Sequence, residues 1–196
     1  MTTKPQRVIF LPGRRLYLRP VEQADIECLR RWVNNPEIRQ FINRQVPLSQ
    51  IEEQKWQDNR ATGPAPSDIT LAIVLRKGDR LIGSMGLHRI DWINRNAFTG
   101  ALIGEKECQD KGYGSEAKAL VLRYCFDTLG MHRISSNVLA NNARSRAYLL
   151  RSGYREEGVL REFMYRDGKW VDDIQMGLLA SEWRELQAKQ QKKSSR

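Results

Sequence analysis

The sequence predicts a single domain of the α/β class, built in the α+β manner, and three observations predict it. Strand and helix patterns follow one another in the order β-α-α-β-β-β-α-β-α-β-β. A glycine-bearing turn, Gln109-Asp110-Lys111-Gly112-Tyr113-Gly114, joins an apolar strand to an amphipathic helix. The patterned part of the chain closes on two strand-like runs either side of Asp167-Gly168, a strong hairpin signal. Its 196 residues suit one domain with a full core. Residues 1–183 are assigned to that domain (core 14–183), and 184–196 to a basic, frayed tail.

Arg14 to Glu22 alternates Leu16 and Leu18 with Tyr17 and Arg19 and reads as the first strand. Glu22 to Asn34 reads as a helix with Ile26, Leu29, Trp32 and Val33 as its apolar stripe and Asp25 in its first turn. Asn34-Asn35-Pro36 breaks it, and Glu37 to Val46 is an irregular or briefly helical link carrying Phe41 and Ile42. Ser49 and Glu52 have the spacing of a capping box for a helix from Gln50 to Arg60 that includes Ile51 and Trp56. Ala61 to Ser67 is a loop by composition, Ile69 to Leu75 a strand, and Lys77-Gly78-Asp79 a turn. Leu81 to Ile90 is a strand bent or bulged at Gly83 and Gly86. A polar turn over Asp91 to Asn96 leads to the central strand, Thr99 to Gly104.

Ser115 to Leu129 is the central helix. Ala117, Leu120, Val121, Tyr124 and Thr128 form its stripe, Leu122, Cys125 and Leu129 widen it, and Glu116, Arg123 and Asp127 are left to solvent. Gly130 ends it. Ile134, Ser136 and Val138 mark a strand, and Asn141 or Asn142 caps a short helix ending near Gly153. Tyr154 to Tyr165 and Trp170 to Leu179 are the hairpin strands, and from Ser181 a helical start decays into the Lys- and Gln-rich end.

A strand, a glycine loop and a helix N-terminus make an anion site, because unpaired amides and the helix dipole converge there. Two glycines let a phosphate approach the main chain without a Cβ in the way. The chemistry therefore predicts a phosphate or pyrophosphate held by Asp110, Lys111, Gly112, Tyr113, Gly114 and Ser115. Gly112 to Ala117 formally fits the dinucleotide fingerprint G-x-G-x-x-A, but the acidic residue expected about 20 positions on is absent around Met131-His132-Arg133-Ile134. A triphosphate P-loop would need Gly-Lys-Ser/Thr, which does not occur here.

The net charge of +10 favours anionic company: a polyphosphorylated coenzyme, an RNA or ribosomal surface, or an acidic substrate. No apolar run approaches a membrane span, and Met1 to Arg7 lacks the apolar core of a secretory signal. Cys28, Cys108 and Cys125 have no metal-binding spacing and leave one thiol unpaired in any disulfide scheme. The expectation is a cytoplasmic protein without membrane or metal.

The Q-x-x-G-x-G run of Gln109 to Gly114, the strand before it and the segment Asn142-Ala143-Arg144-Ser145 resemble motif A and its sequel in the GNAT superfamily of N-acetyltransferases. The resemblance spans Arg14 to Trp183. It is nearest to the branch of the ribosomal-protein N-terminal acetyltransferases in Gly112 to Ala117, Gly130 to Ile134, Asn142 with Ser145, Glu157 to Arg161, and Tyr165 to Asp172. It implies the GNAT fold: a mixed, mostly antiparallel sheet splayed in the middle, with helices on both faces. It also implies acetyl-CoA as cosubstrate, its pyrophosphate on the glycine loop beginning at Gln109. Pantetheine would lie along the central strand at Leu102, Ile103 and Gly104. Asn142 would hold the pantetheine arm and Ser145 contact the sulfur as the catalytic hydroxyl.

Direct attack of an amine on the thioester requires a neutral nitrogen. An α-amine, with pKa about 8, needs less help than a lysine amine at about 10.4. Many relatives carry glutamate where this chain has Phe98, which leans toward an acceptor already partly neutral; His88, Asp91 or a water chain remain as bases. Many also place a tyrosine acid where this chain has Leu149; Tyr148 lies one residue off. The expected acceptor is a protein N-terminus such as that of a ribosomal protein, with an amino sugar, amino acid, antibiotic or polyamine as the alternative. A non-catalytic nucleotide- or RNA-binding module and an NAD enzyme are the rival classes. Ribosome association and a homodimer, common among relatives, are the expected partnerships. Lys111 and one of Arg144, Arg146 and Arg151 are expected near phosphate. Glu105 and Glu107 are expected in solvent and His132 in a structural role. Trp32, Phe41, Ile42 and Trp56 are read first as packing and second as substrate walls.

Overall fold

The computed structural model describes residues 8–52, 54–55 and 65–194. Met1 to Arg7, Trp56, the rest of the helix expected to Arg60 and most of the following loop lie outside the described residues. Eight strands form one sheet: β1 Leu11–Pro12, β2 Leu16–Pro20, β3 Ile69–Leu75, β4 Arg80–Asp91, β5 Asn96–Ile103, β6 Arg133–Leu139, β7 Arg155–Arg166 and β8 Lys169–Leu179. Their order is β1-β2-β3-β4-β5-β6-β8-β7. Every pairing is antiparallel except β5 with β6. Helices α1 Ile26–Asn34, α2 Pro36–Arg39, α3 Tyr113–Arg123, α4 Ala143–Arg151 and α5 Ala180–Ser194 flank the sheet, and residues 50–52 and 54–55 are helical as well.

α1 starts where the Asp25 carboxylate accepts from the Glu22 amide and is held by Arg19. It buries Ile26, Leu29 and Trp32, and Asn35 stops it and caps α2, accepting from the Glu37 amide at 3.0 Å. The capping box at Ser49 and Glu52 is formed in both directions. Asp167 and Gly168, both at positive φ, make the β7–β8 turn.

The parallel β5–β6 ladder is short. It pairs Asn96, Ala97 and Phe98 with Arg133, Ile134 and Ser135 and then stops, although both strands run on. The sheet therefore opens into a V whose apex is closed by the Ser136 hydroxyl donating to the Thr99 carbonyl at 2.9 Å. The main core lies under α3, uniting Leu16, Leu18 and Ile73 with Val121, Ile134 and Leu178.

Several local expectations change. One bulge of β4 falls at Ile82 beside Gly83, as read. The other is at Arg89, in the left-handed region at φ 50°, and not at Gly86. Gly86 is small for another reason: a Cβ there would come within 2.3 Å of the His88 ring. α3 continues into a π-helical turn, Tyr124–Thr128. The inserted residue rotates the face, so Phe126 is buried and Thr128 is exposed. The C-terminal segment is one helix through Ser194 where the sequence predicts decay.

Candidate active site

A cleft of about 1570 Å³ runs through the V, roomier than most single-ligand pockets. Gly112, at φ 75°, is the N-cap of α3, and Asp110 is also left-handed at φ 56°. Among the described residues, no protein acceptor takes the main-chain amides of 110–115; the first capping bond runs from the Glu116 amide to the Gly112 carbonyl. Asp110, Gly112, Tyr113, Gly114 and Ser115 line the cleft. Lys111 does not: it turns away and its carbonyl accepts from Arg15 at 2.8 Å.

Gln109 braces the loop. Its amide donates to the Ile103 carbonyl and its oxygen accepts from Arg144, whose guanidinium also lies 3.5 Å from Asp110. Arg146 is committed to Glu156 instead, and Arg151 stands at the cleft rim. Arg15, just before β2, was invisible to sequence reading. It pairs with Glu116 at 2.7 Å and lies 4.7 Å over the Tyr113 ring, so Glu116 is a buttress and not a solvated charge. Glu105 is likewise engaged, accepting from Trp32 Nε1, Arg31 and Arg80, while Glu107 pairs with Arg80. His132 is exposed and does not line the cleft.

The main chain of β5 alternates in direction along its open edge. The Gly104 amide donates to the Ile82 carbonyl at 2.9 Å. Antiparallel partners alternate in direction, so Leu102 also turns its main chain toward β4, whereas Thr99, Ala101 and Ile103 present theirs to the gap. Of the three residues expected to meet pantetheine, Ile103 turns its main chain to the gap together with Ala101, while Leu102 and Gly104 turn theirs to β4. Leu102 packs with the α1 cluster, and a Cβ at Gly104 would sit 1.9 Å from the Trp32 ring.

Across the gap, Asn142 caps α4 by accepting from the Ser145 amide at 3.0 Å, and both residues line the cleft. Tyr148 lines it too. Its hydroxyl is buried without a partner among the described residues, and burial pushes the phenol well above its ordinary pKa.

The two faces of the cleft differ. On the α1 side, the His88 ring lies across Gly86 and Gly100, and His88 Nδ1 sits 3.1 Å from the Asp68 carboxylate. Phe98 holds Arg89 over its ring at 5.3 Å, and Phe41 and Ile42 form part of the wall. Trp32 is core, and Asp91 caps its own turn through Ile93 and Asn94. On the α3 side, sequence reading missed Lys118. It is fully buried, donates to Thr99 Oγ1 at 2.7 Å and lies between the rings of Tyr148 and Tyr154. The signal available was its position next to Ala117 on the inward side of α3.

A family model described as the acetyltransferase (GNAT) domain matches residues 15–155, and the chain belongs to that family. It is 30% identical over 171 residues to an uncharacterized N-acetyltransferase, YoaA, of Bacillus subtilis, covering 83% of this chain and 92% of the relative. The ribosomal protein uS5-alanine N-acetyltransferase of Escherichia coli shares 35% identity over 86 residues, 44% of each chain. Among solved structures, the spermidine N-acetyltransferase of Vibrio cholerae in complex with CoA and spermine superposes with a TM-score of 0.78 at 26% identity, covering 86% of this chain and 98% of that one. The protein is an acetyl-CoA-dependent N-acetyltransferase.

Proposed function

We propose that the acceptor is the α-amino group at the N-terminus of a protein, such as a ribosomal protein. The observation that carries this reading is the state of the carboxylates lining the cleft. Glu37 is paired with Lys106, Asp68 with His88, Asp110 with Arg144, and Asp173 with Asn137 and Gln175. Phe98 occupies the position at which many relatives carry glutamate. Such a surface offers little to a polycation but accepts one amine that is already partly neutral. The net charge of +10 suits approach to an RNA-rich ribosomal particle.

In this reading the amides of 110–115 hold the pyrophosphate, with Arg15 and Arg144 fixing the loop. Pantetheine pairs with the edge at Ala101 and at the Ile103 amide, the Ile103 carbonyl being held by Gln109, and meets Asn142. The amine enters on the α1 side, where its proton leaves toward His88, a ring in the cleft wall 3.1 Å from Asp68. Free strand-edge amides stabilise the oxyanion, and the Ser145 hydroxyl donates to the sulfur. The exposed Val159, Leu160 and Phe163 of β7 support a homodimer.

The second reading, a small amine such as spermidine, rests on the close superposition with the Vibrio enzyme. Thiol release from acetyl-CoA with alanine-initiated peptides, spermidine, amino sugars and amino acids side by side tests both. The expected result is peptide turnover above spermidine turnover; the reverse order overturns the peptide assignment.

A further inference from the structure

Lys118 is an amine with no exposed surface in the wall of the cleft, and among the described residues no carboxylate lies against it. The groups around it are Thr99 of β5, Tyr148 of α4, Tyr154 ahead of β7, and Cys125 in the turn after α3. Thr99 Oγ1 and the Tyr154 hydroxyl share a further hydrogen bond of 2.8 Å. Burial pushes the amine down to about 7, from an ordinary 10.5. Methionine would fill the same space without a polar group to desolvate, so packing does not explain lysine here.

The position of Lys118 does suggest a role. Thr99 stands at the apex of the V, where β6 leaves β5. Tyr148, whose ring Lys118 Nζ approaches to 5.6 Å, lies 3.8 Å from where a Cβ on Gly114 would be. Lys118 and the unpartnered Tyr148 hydroxyl thus occupy the α4 side of the cleft, the side of Asn142 and Ser145.

We propose that Lys118 supplies the proton taken up by the coenzyme sulfur, acting through the Thr99 hydroxyl, which it meets at 2.7 Å and which lines the cleft. This rests on the coenzyme lying in the V as described above. When the acceptor nitrogen has bonded to the acetyl carbon, the C–S bond breaks and its electron pair goes to sulfur. The thiolate takes the proton of the Thr99 hydroxyl as that oxygen takes one from the Lys118 ammonium, leaving a neutral amine that regains its proton by the same route once coenzyme A departs. The nitrogen's own proton leaves on the α1 side to His88. An ammonium without a carboxylate is held weakly in the free site, and the nascent thiolate supplies the missing negative charge at the moment of bond cleavage.

Free coenzyme A is the probe. The ultraviolet absorbance of its thiolate is titrated when bound to the wild-type protein and to Lys118→Met, with thermal shift reporting binding. The expected result is that both bind, and that the bound thiol ionises at least about one pH unit higher in the variant, a tenfold change in thiolate fraction. In the wild type alone, carbon NMR of the lysine Cε follows the amine directly. A lysine titrating near neutrality is expected to move upward when coenzyme A is added. Binding with an identical thiol titration in both proteins, or a lysine indifferent to the coenzyme, overturns the proposal. A wild-type protein that coenzyme A does not stabilise overturns the coenzyme placement itself.

Discussion

The Arg15 guanidinium donates to the carbonyl of Lys111 across 2.8 Å, tying the start of β2 to a loop 96 residues away. The same side chain pairs with Glu116 and covers the Tyr113 ring, so one residue sets both the loop and the first turn of α3. Arg15→Ala is expected to raise the KM for acetyl-CoA about tenfold, roughly 1.4 kcal/mol of binding, with kcat little changed. Steady-state kinetics at saturating acceptor measure both, and an equal fall in kcat would place Arg15 in the chemical step instead.

Ser145 is proposed to touch the sulfur through its hydroxyl. Ser145→Ala keeps the amide that Asn142 caps, so folding and coenzyme binding are expected to hold. The kcat is expected to drop about 10- to 100-fold, the lower range for loss of a positioned acid or donor. Calorimetric titration with coenzyme A beside turnover assays separates the two effects.

At Gly104 the constraint is steric, since a Cβ would lie 1.9 Å from the Trp32 ring. Gly104→Ala is expected to lower stability by about 1–3 kcal/mol, as overpacking does. Gly158, where a Cβ meets nothing within 4 Å, is the control, with an alanine there expected to change stability by less than about 0.5 kcal/mol. Urea unfolding of the two variants provides the comparison.

Lys118 also makes stability depend on pH. Its folded-state value of about 7 lies below the ordinary 10.5, so between those values the unfolded chain binds a proton that the folded chain does not. Stability from this group therefore rises with pH across that window, by at most roughly 1.4 kcal/mol per unit. Lys118→Met is expected to melt above the wild type at pH 7, with the gap closing as pH approaches 10. Melting curves of both proteins across that range check the sign; a constant gap would mean the amine titrates normally.

The strands, the hairpin and the glycine loop were legible because each is a local pattern: the apolar run of Leu71 to Leu75, Asp167-Gly168, Gly112 and Gly114. What escaped was long-range or irregular. Arg15 meets its partners only after the sheet has formed. The π turn shifts the face of α3 by one residue, which no regular period anticipates, so Phe126 and Thr128 exchange places. Lys118 was passed over because periodicity treats a charge as solvent-facing. The direction of the β5 main chain depends on the bond from Gly104 to Ile82, so Ala101 could not be preferred to Leu102 beforehand.

Among the described residues, three ladder pairs and the Ser136–Thr99 bond fasten β5 to β6, and that seam joins five strands on one side to three on the other. A ligand lying in the V would therefore act as a further splint between two leaves that otherwise meet along this seam and through the core under α3. Cohesion of the folded protein becomes coupled to the supply of its own acyl donor, and the leaves are expected to exchange their amide protons more slowly when that supply is ample.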